Sequence, residues 1–432
     1  MPLLPLITFL LVYLGISLLV GDFYKVPITV AFLLSGVVAL FTMRGKSVSQ
    51  RLRTFSQGAA SESMMLMIWI FILAGAFANS AREMGCIDST VSLALAYMPA
   101  QMLMAGLFLA ACFISLSVGT SVGTVVALVP ISTGLAQATG MSVELMAGVI
   151  VGGAFFGDNL SFISDTTVVA TQTQGCRMSD KFRMNLGIAL PAAIGACVLY
   201  VVLGSGMHAP AQAQHVEMLK VLPYLAVLVM AACGVNVLVV LSLGCLLTGV
   251  LGMAGGAYDV FGWMKSMSDG MLGMSELIIV TMLAGGMLAV VKENGGIDLI
   301  INTVSRHVKG RRGAELAIAF LVTIVNFCTA NNTVAIITVG PIVRNIAQVY
   351  HVDPRRSASL LDTFSCFAQG IIPYGAQLLM AGGLAGVASS AIVPYLFYPY
   401  LLGLTALIVI LIGRSGTSLP SIPDVATQDT AS

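Results

Sequence analysis

Long runs of apolar residues recur from one end of the chain to the other, and short polar stretches separate them. Most runs hold roughly 17 to 25 residues, the length at which a helix crosses a hydrocarbon layer of ~30 Å. The first half is predicted to contain membrane segments near residues 3–20, 28–43, 59–80, 101–118, 120–138, 145–170 and 184–204. The second half is predicted to contain them near residues 217–233, 235–254, 271–291, 313–329, 331–349, 357–381 and 392–413. The pattern therefore predicts an all-α polytopic membrane protein.

Two regions of the hydrophobic pattern can each be interpreted in two ways. Residues 101–138 and 313–349 are either paired full spans or re-entrant hairpins with polar tips, and counting segments does not separate the two because both leave the chain on the same side. Short amphipathic pieces at 87–100 and 297–308 are predicted to lie at the membrane interface or to cap a hairpin.

Composition excludes several classes of protein. Of 432 residues, 58% are hydrophobic and 9% are charged, whereas about a quarter of the residues of a soluble domain are charged. Twenty Lys and Arg balance nineteen Asp and Glu, so no basic surface predicts nucleic-acid binding. The eight cysteines contain no C-x-x-C pair and are interpreted as packing residues. The apolar start lacks a signal-peptide pattern and is predicted to be a retained span, while the polar tail at 416–432 is predicted to be disordered and cytoplasmic.

The chain repeats itself weakly. At an offset of 210, residues 82–88 align with residues 292–298 and keep the acid, the Gly, the Ile and the Asp in place. At an offset of 211 the match continues with Pro130 on Pro341 and Phe156 on Phe367. Secondary transporters are often built from two such related halves. The predicted repeats are residues 1–210 and 211–415.

Loop charges predict how the halves are oriented, because short loops rich in Lys and Arg stay in the cytoplasm. Residues 44–53 contain four Lys and Arg, whereas the equivalent loop of the second half contains Lys265 alone. The bias reverses further on, since 81–100 contains only Arg82 and its counterpart at 292–312 contains five. We therefore predict an inverted-topology repeat with an odd number of segments in each half and both termini in the cytoplasm.

Four polar, helix-breaking stretches interrupt the apolar segments at 119–124, 157–167, 329–333 and 362–377. An unsatisfied polar group in lipid costs several kcal/mol, so such sequence must line a cavity or a binding site. The four stretches fall on one another under the 211 offset, with Asp158 on Gln369. Broken helices or re-entrant hairpins related in this way are predicted to converge near the midplane and to form a binding site there.

The polar side chains of these stretches suit a small cation. Hydroxyl, amide and carbonyl oxygens can replace the hydration shell of Na⁺. Burial disfavours a carboxylate anion while a bound cation favours it, so one Asp can hold either H⁺ or Na⁺. Asp158 and Asp165 are the predicted Na⁺ carboxylates, two turns apart on one face unless Gly157 and Asn159 break the helix between them. The predicted ion- or substrate-binding residues are Thr120, Ser121, Asp158, Asn159, Ser161, Ser164, Asp165, Thr166, Asn331, Asn332, Thr333, Asp362 and Gln369.

The run GAFFGDNLSFISDTT at 153–167, preceded by GTSVGT at 119–124, resembles the signature of the NhaC-type Na⁺/H⁺ antiporter family. There a G-D-x-x-S-P-x-S-D-T-T run follows G-T-S-x-G-T. The resemblance implies a secondary transporter of the ion-transporter superfamily with inverted repeats and broken helices, many members exchanging Na⁺ for H⁺. Phe162 stands where the family has Pro, and the second half lacks a Trp-containing pattern of the antiporters proper. The matching positions are Thr120, Ser121, Asp158, Asn159, Ser161, Ser164, Asp165 and Thr166.

Other polar residues have both a functional and a structural interpretation. Asp362 would bind an ion or, lying six residues after Arg356, would pair with it. Arg344 would recognise a substrate carboxylate or snorkel to the membrane surface. Glu62 and Glu276 are interpreted mainly as charges at helix N-termini, and His208 and His215 as loop residues.

The sequence thus predicts a Na⁺/H⁺ antiporter of the bacterial inner membrane that works by alternating access and needs no cofactor. The alternative, which the resemblance to the family also implies, is a Na⁺- or H⁺-coupled transporter of an amino acid or a small carboxylate. The predicted partners are the lipid bilayer, a small cation and, for the alternative, a small organic substrate; a homodimer is left open. A passive channel and an intramembrane aspartyl protease using Asp158 and Asp362 are disfavoured, the latter because its G-x-G-D run is absent. No G-x-x-x-x-G-K-[ST] loop indicates ATP as the energy source.

Overall fold

A computed structural model describes residues 2–16, 27–97, 99–162, 164–205, 217–233, 235–305 and 308–412. Within these ranges every regular element is a helix, which confirms the prediction of an all-α protein. The predicted tail at 416–432 and both His208 and His215 lie outside the described residues.

The helices of the first half are α1 (Leu4–Leu10, continued by a π-helical stretch at Leu11–Gly15), α2 (Ile28–Thr42), α3 (Val48–Ala59), α4 (Glu62–Glu83), α5 (Cys86–Tyr97), α6 (Leu103–Val118), α7 (Ser121–Thr139), α8 (Val143–Leu160), α9 (Asp165–Gln174) and α10 (Met178–Gly204). The helices of the second half are α11 (Met218–Ala232), α12 (Val237–Ala254), α13 (Val260–Gly273), α14 (Ser275–Glu293), α15 (Gly296–Ser305), α16 (Gly310–Thr329), α17 (Asn332–Val349), α18 (Pro354–Ile371), α19 (Ala376–Ala385), α20 (Ser389–Ile392) and α21 (Phe397–Ile412). The helices α1 to α9 correspond in order to α11 to α19, and α10 corresponds to α20 together with α21.

Length and composition support several membrane crossings. Among the described residues, seven helical segments are long and apolar enough to cross a membrane, or eight if a bent pair at Pro354–Ala385 and Ser389–Tyr395 counts as one span. Several other apolar helices have 10–17 residues. The chain is therefore a multi-pass membrane protein, and some of its predicted segments are short or broken helices.

Polar sequence that we interpreted as loops after the second span of each half is helical. The helix α3 begins at a capping box in which Ser47 and Gln50 exchange side-chain and backbone hydrogen bonds. The equivalent helix α13 begins at Asp259, whose carboxylate accepts from the backbone N–H of Gly262. The charged and small polar residues of both stretches are the reason that the sequence pattern suggested loops.

The first pair of helix breaks is the same in both halves. Between α6 and α7 the chain turns at Gly119, whose φ of +72° is left-handed, and Thr120 then caps α7. Between α16 and α17 it turns at Ala330, with a φ of +50°, and Asn331 caps α17. In each case the capping side chain accepts a hydrogen bond from the backbone N–H three residues later.

The second pair of breaks interrupts the predicted segments 145–170 and 357–381. The helices α8 and α9 are separated by residues 161–164, and α18 and α19 by residues 372–375. Both α9 and α19 end at a glycine with a φ of +71°. The matched positions of all four breaks show that the repeat seen in the sequence extends to the backbone.

The predicted break between Asp158 and Asp165 is present at residues 161–164; α8 continues through Gly157 and Asn159 to Leu160, so Gly157 itself does not break the helix. Gly157 serves close packing instead. A Cβ atom there would lie 2.3 Å from the Cβ of Ser115 on α6, which is far inside contact distance.

Helices of the two halves pack reciprocally. The helix α4 packs on α13 and α3 packs on α14, and exchanging each helix for its counterpart converts one contact into the other. Gly75 meets the carbonyl of Gly270 at the first crossing, and Gly58 meets that of Gly285 at the second. The pairs α7 with α19 and α17 with α9 are reciprocal in the same way. Reciprocal contacts are typical of a two-fold axis, and on this basis we propose residues 1–210 and 211–415 as the two repeats.

Candidate ion-binding site

The four helix breaks surround one cavity of about 330 Å³. Residues from the α6–α7 and α8–α9 junctions line it from the first half, and residues from the α16–α17 and α18–α19 junctions line it from the second. The predicted site residues that line the cavity are Thr120, Ser121, Asp158, Asp165, Thr166, Asn331, Asn332, Thr333 and Gln369.

Asp158 is buried in the last turn of α8, where three side chains donate hydrogen bonds to its carboxylate. The hydroxyl of Ser164 donates to Oδ1 over 2.7 Å, and that of Ser121 donates to Oδ2 over 3.3 Å. The amide of Asn332, from the second half, also donates to Oδ2 over 3.1 Å. Hydrogen bonds to a buried charged group are among the stronger ones. The carboxylate is therefore held jointly by both halves of the chain.

The break between α8 and α9 brings Thr166 back toward the same point. Its hydroxyl lies 2.9 Å from the hydroxyl of Ser164 and 3.5 Å from the carbonyl oxygen of Asp158. Ser161 is also buried at this break. The break thus supplies hydroxyl and carbonyl oxygens beside one carboxylate, which is the set of ligands that a small alkali cation needs.

Two amides of the second half continue the network. Gln377 donates to the hydroxyl of Ser121 over 2.9 Å. Gln369 donates to the side-chain oxygen of Gln377 over 3.0 Å and to the carbonyl of Ala330 over 3.1 Å. Gln369 thus holds the left-handed turn before α17. Sequence reasoning missed Gln377, although it lies in a recognised polar stretch, because only its contact across the halves shows its place.

A second buried polar cluster lies beside the first and is centred on Asp362 in α18. The ammonium of Lys181 is 2.5 Å from Oδ2 of this carboxylate. The amides of Asn159 and Asn185 each donate to the same oxygen over 3.1 Å. All four side chains are buried.

Asp362 therefore does not pair with Arg356, one of the two interpretations that its position suggested. Arg356 instead forms a salt bridge of 3.0 Å with Glu315 on α16. The six-residue spacing on one helix places the two side chains on different faces, since residues that meet on a helix are three or four apart.

Lys181 and Asn185 were not predicted as site residues. We placed the start of the last span of the first half at 184, which left Lys181 in a loop, whereas α10 begins at Met178. A signal was present: Lys181, Asn185, Ile188 and Ala192 follow one another at helical spacing, and all four are buried. We did not recognise this periodicity because the charged residue lies at the end of an apolar run.

The remaining predicted residues lie away from the centre. Asp165 lines the cavity but is exposed in the first turn of α9. Arg344 is exposed and lies outside the cavity, with its guanidinium near Gly175. Glu62 and Glu276 are exposed in the first turns of α4 and α14, as expected of charges at helix starts.

The charged residues in the described cavity lining are all acidic. Its described lining residues include the carboxylates of Asp158 and Asp165 and contain no Lys, Arg or His. A cleft lined by one sign of charge concentrates ions of the opposite sign. The cavity is therefore suited to a cation.

The sequence comparisons agree with this chemistry. A family model described as the Na⁺/H⁺ antiporter family matches residues 1–205 and 209–417. The Na⁺/H⁺ antiporter NhaC of Bacillus subtilis is 24% identical over 389 residues, covering 82% of this chain and 83% of the relative. A malate-2H⁺/Na⁺-lactate antiporter of the same species is 21% identical over 431 residues, covering 90% of each chain. The crystal structure of the Alcanivorax borkumensis YdaH transporter matches with a TM-score of 0.40 at 13% identity, covering 84% of this chain and 86% of that one.

Proposed function

The chain belongs to the Na⁺/H⁺ antiporter family, and from this premise we propose that it exchanges Na⁺ for H⁺ across the bacterial inner membrane by alternating access. The observation that carries the proposal is the buried carboxylate of Asp158, which faces a cavity without basic residues in its described lining and is hydrogen-bonded by both halves. The exchange needs no cofactor besides the two ions.

Competition between the two ions at Asp158 accounts for the exchange. In the structure the hydroxyls of Ser121 and Ser164 donate hydrogen bonds to the carboxylate. A hydroxyl also has lone pairs, so rotating both would turn the same oxygens into ligands for Na⁺. A proton on the carboxylate neutralises the charge that attracts Na⁺. One site that holds either ion, opened to one side at a time, produces antiport.

We propose that the two halves of the chain give the site access to the two sides of the membrane. Because Ser121 and Asn332 are equivalent under the repeat and both contact Asp158, motion of either half changes the same site. The repeat is proposed to be inverted, with both termini in the cytoplasm, so that the two equivalent arrangements open the cavity to opposite sides.

The proposal is tested with purified protein in liposomes that contain a pH-sensitive dye. Addition of Na⁺ to one side is expected to move H⁺ in the opposite direction, and Asp158→Asn is expected to abolish that signal. Glu217→Gln is the matched control, since it removes an exposed carboxylate that pairs with Lys220. An undiminished signal in Asp158→Asn would contradict the proposal.

Coupled transport of a small carboxylate is the second candidate, and the relative named as a malate-2H⁺/Na⁺-lactate antiporter favours it. A carboxylate in this cavity would need a cation beside it, which Na⁺ at Asp158 could supply. Liposomes loaded with malate or lactate separate the two functions. Na⁺-driven H⁺ movement without any organic anion supports simple exchange, whereas movement that requires malate or lactate supports the second candidate.

A further inference from the structure

The ammonium group of Lys181 is enclosed like a bound ion. It lies 2.5 Å from Oδ2 of Asp362, 2.5 Å from the backbone carbonyl oxygen of Asn159 and 2.7 Å from the hydroxyl oxygen of Thr167. An ammonium has three N–H donors, so each has an acceptor. The side chain of Lys181 is 1% exposed and that of Asp362 is 0% exposed, which leaves little room for water.

The acceptors around this ammonium are those of a small-cation site. They are one carboxylate, one main-chain carbonyl and one hydroxyl, the same kinds of oxygen that surround Asp158. A further oxygen, Oδ1 of Asn185, is buried within the same cluster and has no hydrogen-bond partner among the described residues. A buried oxygen without a donor is uncommon in proteins, and here it is a spare ligand for a cation.

The cluster is joined to the first site but is not repeated in the other half. Asn159, which follows Asp158 in α8, both accepts from Lys181 and donates to Asp362. Under the 211 offset, Asp362, Lys181 and Asn185 correspond to apolar residues. Those counterparts are Val151, Ile392 and Leu396. The cluster is therefore an addition to one side of the pseudo-symmetric core.

We infer that Lys181 is a tethered cation that occupies a second cation site, formed by Asp362 with the oxygens of Asn159 and Thr167. The protein then binds one exchangeable Na⁺ per chain at Asp158, while the second site is kept filled by its own lysine. The identity of the exchanged ion rests on the proposed function, whereas the existence of the second site rests on the geometry around Lys181.

Counting bound Na⁺ tests the inference directly. Equilibrium binding of ²²Na⁺ to the purified full-length protein is expected to give one ion per chain for the wild type and none for Asp158→Asn. Lys181→Met removes the ammonium and is expected to raise the count to two. The combination of Asp158→Asn with Lys181→Met is expected to bind one ion, held at Asp362. Lys220→Met, which removes a half-buried lysine paired with Glu217, is the control and should leave the count at one.

Lys181→Met also leaves a buried carboxylate without its counter-charge, which destabilises the fold. A bound ligand stabilises a folded protein by mass action, so Na⁺ should raise the unfolding temperature of this variant more than choline at equal ionic strength. The variant that combines Lys181→Met with Asp362→Asn has no such charge; it should bind one Na⁺ and show no more stabilisation by Na⁺ than the wild type.

Three results would overturn the inference. The first is a wild type that binds two Na⁺ per chain, because Asp362 would then already hold an exchangeable ion. The second is a folded Lys181→Met protein that still binds only one. The third is an unstable Lys181→Met protein that Na⁺ stabilises no better than choline. A wild type that binds no Na⁺ contradicts the proposed function instead, and the second site is then judged by whether Asp158→Asn with Lys181→Met gains one ion.

Discussion

Asn332 of the second half donates its amide to the carboxylate of Asp158 in the first half over 3.1 Å, in the interior of the protein. The two residues are 174 positions apart in sequence, and their contact joins a helix start in one repeat to a helix end in the other. The site therefore exists only when both repeats are packed together.

We expect Asn332→Ala to raise the Na⁺ concentration for half-maximal exchange about tenfold or more. A hydrogen bond to a charged group is worth ~1.5–3 kcal/mol, and its loss disfavours the carboxylate anion, so H⁺ competes better with Na⁺ at Asp158. Transport assays in dye-loaded liposomes measure this concentration. Asn294→Ala is the matched control: Asn294 donates to the Thr42 hydroxyl over 2.8 Å, and neither residue lines the cavity. Equal effects of the two substitutions would show that Asn332 has no special role at Asp158.

The packing of α8 on α6 predicts that two glycines differ sharply in how well they tolerate substitution by alanine. Gly157→Ala would place a Cβ 2.4 Å from the backbone nitrogen of Leu116, so the helices must separate and the adjacent Asp158 must move. We expect a loss of stability of ~1–3 kcal/mol, as for other overpacked cores, together with loss of exchange. At Gly187 in α10 no atom of a neighbouring element in the described part of the chain lies within 4 Å of an added Cβ.

Gly187→Ala is therefore the control and is expected to be neutral or stabilising, since Ala favours a helix over Gly by ~1 kcal/mol. Thermal unfolding in detergent and transport in liposomes report the two effects separately. If Gly157→Ala unfolds at the wild-type temperature and exchanges normally, the close approach of α6 and α8 is not needed.

Much of this site could be predicted because a membrane chain contains few polar residues. Asp158, Ser121 and Asn332 lie in polar stretches that no loop explains, and the 211 offset already related two of them. Pairwise contacts were not predictable, because the sequence does not show which face of a helix meets which neighbour. The sequence therefore allowed Asp362 either to pair with Arg356 or to bind an ion, whereas in the structure it pairs with Lys181.

Helix boundaries were the other weak point. A buried charge at the end of an apolar run looks the same in sequence as a solvated one, so Lys181 was assigned to a loop. Gly157 was interpreted as a helix breaker because glycine is a poor helix former. In the structure the close approach of α6 requires it, and close approach is a tertiary property that a single sequence does not display.

The turn at Ala330 predicts a stabilising substitution. A left-handed φ costs a residue with a Cβ ~1–2 kcal/mol, whereas Gly adopts it freely, as Gly119 does at the equivalent turn. We expect Ala330→Gly to stabilise the protein by ~0.5–1 kcal/mol and Gly119→Ala to destabilise it by a similar or larger amount. Ala335→Gly, inside α17, is the control and should destabilise. Thermal unfolding orders the three, and a lower unfolding temperature for Ala330→Gly would contradict the strain argument.

Asp165 should behave differently from Asp158, although both were predicted as Na⁺ ligands. It lines the cavity but is exposed, so it can attract Na⁺ electrostatically while water screens much of its charge. We expect Asp165→Asn to raise the half-maximal Na⁺ concentration by about two- to fivefold and to leave the maximal rate unchanged. Because salt screens exposed charges over ~10 Å at 0.1 M, the difference from wild type should shrink when choline chloride is raised from 10 to about 300 mM. A loss of maximal rate that persists at high salt would instead make Asp165 a direct ligand of the transported ion.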